Sequence, residues 1–386
     1  MKEPGPGELR NMGVYRLNPE TYFFEKKNFK GNATLQPPSS TTAATLTNNE
    51  IRMATFNVLF DNYTPELLHS HTRFQKQFDM FREMDLDILV LNEVTLTYLS
   101  QLAMDEFITE TYYLSEVPRD MISQDSGDDA GDDASGSNGQ HADDSMASTL
   151  VPYGTLILSK FPIEYVHEYT YKYGYSYDRK PLRKNKACLI ARILVPLNNT
   201  SNGGDNHRVL RLGLCGLHLK AGSSEQESEQ RRRELMEIEE ILRRWYLVQK
   251  ENSSPLFDEF FMLGDFNLLL PSEQEGAPWM STTTTTTTTA AQQTLSQTQT
   301  QNDNRDICFS DLWPQLRGTA DPGYTMDNSV NTMIQIMRRP VSQTEESFRV
   351  RLDRIYRWTG GHRHTPQHVS LFAMEPTYPT APNNNS

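Results

Sequence analysis

The stretch FFMLGDFNLLL, residues 260–270, holds two polar side chains, Asp265 and Asn267, between two apolar runs. Similar interruptions recur along the chain. Asn57 breaks TFNVLF, Glu93 closes ILVLNEV and His218 closes GLCGLHLK. Taken singly, each has an ordinary reading. Glu93 suits a solvated strand end, His218 a core histidine, and Asp265–Phe266–Asn267 an Asx-type turn, because Asp and Asn side chains bond their own backbone readily. Taken together, carboxylates and amides at the ends of neighbouring strands converge on one sheet edge. Hard oxygen ligands of this kind suit Mg²⁺, with Mn²⁺ as an alternative. A neighbouring aspartate can take a proton from water, an amide can orient that water, and a histidine can neutralise charge developing on phosphoryl oxygens. The chemistry implied is hydrolysis of a phosphate ester.

Elements able to hold these groups are legible between them. IRMATFNVLF (51–60) reads as a strand and FQKQFDMFREM (74–84) as a helix, with Phe74, Phe78 and Phe81 on one stripe. LDILVLNEV (86–94) is a near-continuous apolar run, as in a strand buried on both faces. Further strands are expected at 153–160, 185–197, 209–222, 260–267, 347–358 and 368–375. Residues 225–247 form the clearest helix, with Leu235, Ile238, Ile241, Leu242 and Trp245 as its stripe. The alternation predicts an α/β fold: two packed β-sheets, mixed or mostly antiparallel, flanked by helices in a four-layer sandwich.

The chain has 386 residues and 37% apolar content, enough for one large domain with insertions. Residues 1–50 read as a partly disordered N-terminal arm and 51–375 as the domain. Three low-complexity segments are expected to be disordered: the Asp/Gly/Ser-rich 120–149, the Thr/Gln-rich 281–301, and the tail 376–386. Net charge is −13, which argues against a broad non-specific nucleic-acid binder, but eight aspartates and no Lys or Arg fall within 120–144. No apolar run is long enough for a membrane span, so no membrane association is expected. Cys188, Cys215 and Cys308 lack metal-like spacing and read as reduced thiols of a nuclear or cytoplasmic protein. The basic stretch RKPLRKNK (179–186) fits a solvated loop, a phosphate-tracking segment or a nuclear import signal. A monomer is expected.

The ordered series TFN, NEV, HLK, GDFN, RLDRI resembles the endonuclease/exonuclease/phosphatase superfamily, over roughly residues 51–375. The last third, DLWPQLRGTADPGYTMDNSVNTM followed by RLDRIYRW, is most similar to its 5′-tyrosyl-DNA phosphodiesterase branch. The resemblance implies a Mg²⁺-dependent phosphodiesterase acting on nucleic-acid ends, DNA before RNA, in repair. It implies that Asn57 and Glu93 hold the metal, Asp265 activates water, Asn267 orients it and His218 contacts phosphate. Asp353 would support catalysis, and Asn331 and Arg354 would contact substrate.

Three departures stand out. Leu269 replaces the branch's arginine after its GD-x-N turn, and Met326 replaces an aromatic. The family's closing SDH motif is missing, and the chain ends PTYPTAPNNNS, which reads as a truncation. Alternatives follow: another substrate on the same fold (poly(A) RNA, to which TFNVLFDNY also points, abasic DNA, a phosphoinositide or sphingomyelin), or an inactive interaction protein. His362, His364 or His368 would be the substitutes for the absent histidine.

Overall fold

The computed structural model describes residues 9–18, 20–27, 50–61, 69–123, 148, 150–172, 186–197, 208–251, 256–274, 309–327, 329, 349–358 and 365–371. Of the segment 120–149 expected to be disordered, residues 120–123 are ordered, with a 3-10 turn over Arg119–Met121 and Ile122 bridged to Phe24; most of the remainder, with 281–301 and 376–386, lies outside the described residues, as do Asn331, His362, His364 and Cys308.

In chain order the strands are β1 (Leu9–Asn11), β2 (Tyr15–Leu17), β3 (Phe24–Lys26), β4 (Met53–Asn57), β5 (Ile88–Val94), β6 (Tyr113–Leu114), β7 (Gly154–Ser159), β8 (Ile163–Thr170), β9 (Ala187–Leu197), β10 (Arg208–His218), β11 (Glu259–Asp265), β12 (Phe309–Asp311), β13 (Met326–Asp327), β14 (Arg349–Val350) and β15 (Asp353–Trp358). The helices are α1 (Ser70–Met84), α2 (Leu96–Leu102), α3 (Glu106–Thr111), α4 (Glu225–Glu251), α5 (Pro271–Gln274) and α6 (Leu312–Arg317). One sheet has the order β1-β8-β9-β10-β11-β15-β12 and the other β3-β2-β6-β7-β5-β4, with β13 and β14 as a separate pair. Among these pairs β4–β5 and β10–β11 are parallel and the rest antiparallel. A parallel pair needs a crossover, and α1 and α4 lie in those connections.

Alternation along β5 explains the layering. Ile88 and Val90 face the other sheet and pack with Ile157, Leu189, Ala191, Leu212, Leu214 and Leu263. Leu89 and Leu91 face outward and join Phe74, Phe78 and Phe81 of α1. On the far side, Leu235, Ile238 and Leu242 of α4 cover Cys215, Leu217 and Met262. The result is helix, sheet, sheet, helix, the four-layer sandwich expected. Cys188 and Cys215 are free and buried. Among the described residues no helix is long and apolar enough to cross a membrane.

The N-terminal expectation needs correction. Residues 9–26 contribute β1 to one sheet and β2 and β3 to the other. These strands are three residues each and carry too short a pattern to show periodicity. The expected strand at 368–375 is also absent over 368–371, which is irregular and mostly exposed, His368 included.

Candidate active site

Five strand ends meet at one end of the sandwich. β4 ends at Asn57, β10 at His218 and β11 at Asp265, while β15 runs antiparallel and begins at Asp353. Register brings them together. Asn57 pairs with Asn92, His218 with Asp265, and Asp265 with Asp353.

Glu93 arrives by a less regular route. The β5–β7 register shifts between Leu91 and Val94, and Glu93 has φ of 62°, in the left-handed region. A bulge of this kind re-aims a side chain that strict alternation would point elsewhere. The Glu93 carboxylate is held there by Asn57 Nδ2 at 2.9 Å and the Phe60 backbone N–H at 3.1 Å. Asn267 is likewise left-handed, with φ of 51°. Non-glycine residues held in this region cost about 1–3 kcal/mol each and cluster at functional sites. Gly264 is required for packing: a Cβ there would stand 1.9 Å from the Leu217 carbonyl oxygen.

Asp265 is tied at both oxygens. Oδ1 accepts the Asn267 backbone N–H at 2.9 Å, which is the Asx turn, and Oδ2 accepts Asn57 Nδ2 at 3.0 Å. One Asn57 amide therefore spans Glu93 and Asp265. Its own oxygen accepts the Leu59 N–H at 2.9 Å, so Asn57 turns its amide hydrogens toward the two carboxylates. Asn267 donates its amide to the Leu219 carbonyl at 3.1 Å, which fixes the side chain.

Charge is concentrated and poorly hydrated. Burial pushes the Glu93 and Asp265 carboxyls up, and burial together with the Asp265 charge pushes Asp353 well up. Asp353 Oδ1 is buried without a hydrogen-bond partner. Lys186, the last residue of the basic stretch, faces this cluster, donates to the Leu219 carbonyl, and is pushed down to about 8 by burial. The His218 ring is held well below the usual imidazole range by burial and by Lys186. Its Nε2 stands 3.9 Å from Glu93 Oε1 and 3.7 Å from Asp265 Oδ2. The three ligand atoms offered by Glu93, His218 and Asp265 lie within 4.8 Å of one another. Three clustered carboxyls, one with an orphaned oxygen, fit a divalent cation.

Three further features escaped the sequence reading. Asn92 is fully buried, and in the amide orientation that satisfies its neighbours it donates to Thr155 Oγ1 at 3.1 Å and the Leu217 carbonyl at 3.0 Å, and accepts the Asp265 N–H at 3.2 Å. It ties the two sheets directly beneath the carboxylates. Arg231 of α4 is also fully buried; it forms a fork with Glu273 at 2.9 and 2.7 Å and donates to the Lys220 and Gly222 carbonyls. Glu273 in turn accepts the Leu269 and Leu270 N–H groups, fixing the loop that follows Asn267. Tyr153 stacks on Phe60 at 4.8 Å and lies 6.0 Å from the His218 ring, forming an aromatic wall.

Arg354 is not directed at this site's centre as a substrate cation. It is buried and bonded to Asp311 at 3.0 Å, which also holds Arg351 at 2.7 and 2.8 Å.

Two stacked mixed sheets therefore carry carboxylates, amides and a histidine at one rim. A model of the Endonuclease/Exonuclease/phosphatase family matches residues 54–372, and the chain belongs to that family. It is a phosphodiesterase-type hydrolase in fold and family. No curated protein matched the chain by sequence. Among solved structures it is similar to D. rerio TDP2 complexed with single strand DNA product, at 16% identity over 84% of this chain and 91% of that one, TM-score 0.45. It is similar to truncated Caenorhabditis elegans TDP2, at 16% identity over 80% and 84%, TM-score 0.42. It is also similar to ANGEL2, a 2′,3′-cyclic phosphatase, at 14% identity over 81% and 83%, TM-score 0.41.

Proposed function

We propose that the protein is a divalent-cation-dependent phosphodiesterase that hydrolyses phosphodiesters at nucleic-acid ends, with 5′-tyrosyl-DNA adducts as its leading substrate. The observation that carries the chemistry is the buried meeting of Glu93, His218, Asp265 and Asp353 under one Asn57 amide. The narrower substrate reading rests on the motif order from residue 311 to residue 358.

A bound divalent cation supplies charge neutralisation at the phosphoryl oxygens and the leaving oxygen. Glu93 is the carboxylate that would hold it, beside Asp265 and His218. With its carboxyl raised by burial, Asp265 is suited to accept a proton from the attacking water. Asn267, fixed by its amide bond to Leu219, keeps its own oxygen for orienting that water. Lys186 offers a cation beside the carboxylates that can face phosphate, the part the resemblance gave to His218. The wall of Phe60 and Tyr153 offers a ring surface for a base or a phenol, and such stacking contributes about 1–3 kcal/mol per base. DNA repair in the nucleus, or a cytoplasmic role on the same substrates, is part of this reading.

The test is release of tyrosine from a 5′-phosphotyrosyl oligonucleotide in the presence of Mg²⁺ or Mn²⁺, run beside poly(A). Cleavage of the tyrosyl substrate is expected. Cleavage of poly(A) alone would move the protein to RNA, and inertness toward both would overturn the reading.

A further inference from the structure

The loop that follows β4 is tied down by its backbone. The Val58 N–H donates to the Asn92 carbonyl at 3.0 Å, and the Leu59 N–H to Asn57 Oδ1 at 2.9 Å. The Val58 and Leu59 carbonyls accept from two side chains four residues apart on one face of α1, Gln77 Nε2 at 3.3 Å and Arg73 Nη2 at 2.6 Å. Both of these side chains are buried. The Phe60 N–H donates to Glu93 Oε2 at 3.1 Å. Leu59 itself is left-handed, with φ of 58°, a conformation that leucine adopts only where its surroundings impose it.

The Leu59 carbonyl and the Phe60 N–H belong to one planar peptide group and point opposite ways. A guanidinium and a carboxylate therefore sit on either side of a single peptide. A cation pulling on the carbonyl oxygen raises the double-bond character of the C–N bond and makes the N–H a better donor. Hydrogen bonds chained in this way strengthen one another by about 10–30%. A neutral donor satisfies a carbonyl as well, as Gln77 does for Val58 one residue earlier. Burying a guanidinium costs more than burying an amide. Of the two carbonyls, the charge falls on the one whose peptide faces Glu93.

We propose that Arg73 is a positioning residue that acts through the Leu59–Phe60 peptide to hold the Glu93 carboxylate, and that its charge, beyond its hydrogen bond, is what the peptide requires. Arg73 reaches no substrate and no reacting atom. The relay stands on geometry alone, while its effect on turnover rests on the phosphodiesterase reading above.

The test reads the peptide directly. The full chain is labelled with nitrogen-15 phenylalanine, and the Phe60 amide is assigned by its disappearance in F60L. A hydrogen bond to a carboxylate draws that proton downfield and slows its exchange with solvent. In R73M the resonance should move upfield and exchange should accelerate about tenfold or more, the loss of one charge-assisted bond. R73K keeps the cation and should stay within about threefold of wild type, whereas R73Q keeps a donor without charge and should follow R73M. E93Q should move the same resonance, and R73M/E93Q should shift it by less than the sum of the single changes. On a phosphodiester that the wild type cleaves, kcat should fall about tenfold in R73M and R73Q with KM little changed, and recover in R73K. A Phe60 resonance unmoved in R73M overturns the proposal, as do additive shifts in the double variant or an R73Q that matches wild type. A wild type that cleaves nothing sinks the functional reading and leaves the Phe60 result to decide this one. If R73M fails to fold, R73Q and R73K carry the comparison.

Discussion

Asp265 and Asp353 are direct register partners on adjacent antiparallel strands, so two carboxyl groups share one end of the same sheet. Like charges opposed across a pair of strands are destabilising, and burial makes this pair worse. The folded protein holds both carboxyls above their ordinary range, Asp353 well above it.

The sign of the consequence follows from linkage. A carboxyl whose folded pKa lies above its unfolded value binds its proton more tightly when folded. Its contribution to stability is present below the unfolded value and is lost as pH rises through the folded one. At neutral pH without metal, D353N is therefore expected to raise the melting temperature by about 2–5 °C, a gain on the order of 1–2 kcal/mol for a chain of this size. Added Mn²⁺ should stabilise the wild type and D353N by different amounts. Differential scanning calorimetry with and without metal checks both, and a D353N that melts below the metal-free wild type would count against the account.

For Asp265 the expectation is catalytic. D265N keeps an oxygen for the Asn267 N–H but cannot accept a proton, and kcat should fall about 10²–10⁴-fold. Its circular dichroism should match the wild type, since the Asx turn survives. Near-normal turnover would exclude Asp265 as the base.

Asn92 carries a structural prediction. Three hydrogen bonds run from its buried amide to three different strands. N92L would leave Thr155, the Leu217 carbonyl and the Asp265 N–H with fewer partners, and unmade buried hydrogen bonds cost about 1–3 kcal/mol per group. A stability loss of about 2–4 kcal/mol is expected by urea titration, with kcat reduced because Asp265 loses its anchor. N92Q, which restores the amide at a greater reach, should recover part of both.

These residues also mark how far the sequence could be read. Asp265 and Asn267 stood out because they interrupt two apolar runs, and the Asx turn expected of them is formed. The layering was legible for the same reason: a run such as Ile88–Leu91 can only be buried on both sides. Glu93 was found, but its orientation was not, because a bulge breaks the alternation that the reading relied on. Asn92 gives no local signal, because its bonds reach residues 63 and more positions away. Arg354 carried a charge that suited substrate, but its partner Asp311 lies 43 residues earlier and claims it. Asn57 stands out in TFNVLF, but the bridge its one amide makes to Glu93 and Asp265, 36 and 208 residues away, is visible only in the fold.

The Arg231–Glu273 fork predicts non-additivity. Arg231 is fully buried, and its loss would leave the Glu273 carboxylate with only the Ser228 hydroxyl and two backbone N–H groups. Breaking a buried ion pair from one side costs about 3–5 kcal/mol, whereas replacing both members by apolar groups is often close to neutral. R231M should therefore destabilise strongly, and R231M/E273M should regain much of the loss in a double-mutant cycle. The two should differ less in activity, because either change frees the Leu269–Leu270 loop beside Asn267. A double mutant with restored stability and full activity would show that the loop needs no such anchor.

His167 supplies the pH prediction away from the site. It lies between Tyr165 at 4.8 Å and Trp245 at 5.8 Å, and its Nδ1 is buried without a partner. Burial holds its pKa below the ordinary 6.5. The unfolded chain therefore takes up a proton first as pH falls, so stability is full above about 6.5 and declines through the interval below it. Glu164, Arg192 and Glu168 are the charged groups on the neighbouring positions, and Glu164 and Glu168 are already paired, with Arg192 and Arg10. Neither is free to receive an imidazolium. H167Q cannot take up that proton, so its urea midpoint should fall less than the wild type's between pH 7 and pH 5. Because His218 is depressed as well, some acid sensitivity should persist in H167Q, and only H167Q combined with bound Mn²⁺ should flatten the profile further. A profile identical to wild type in H167Q would mean that the ring is protonated in the fold at no cost.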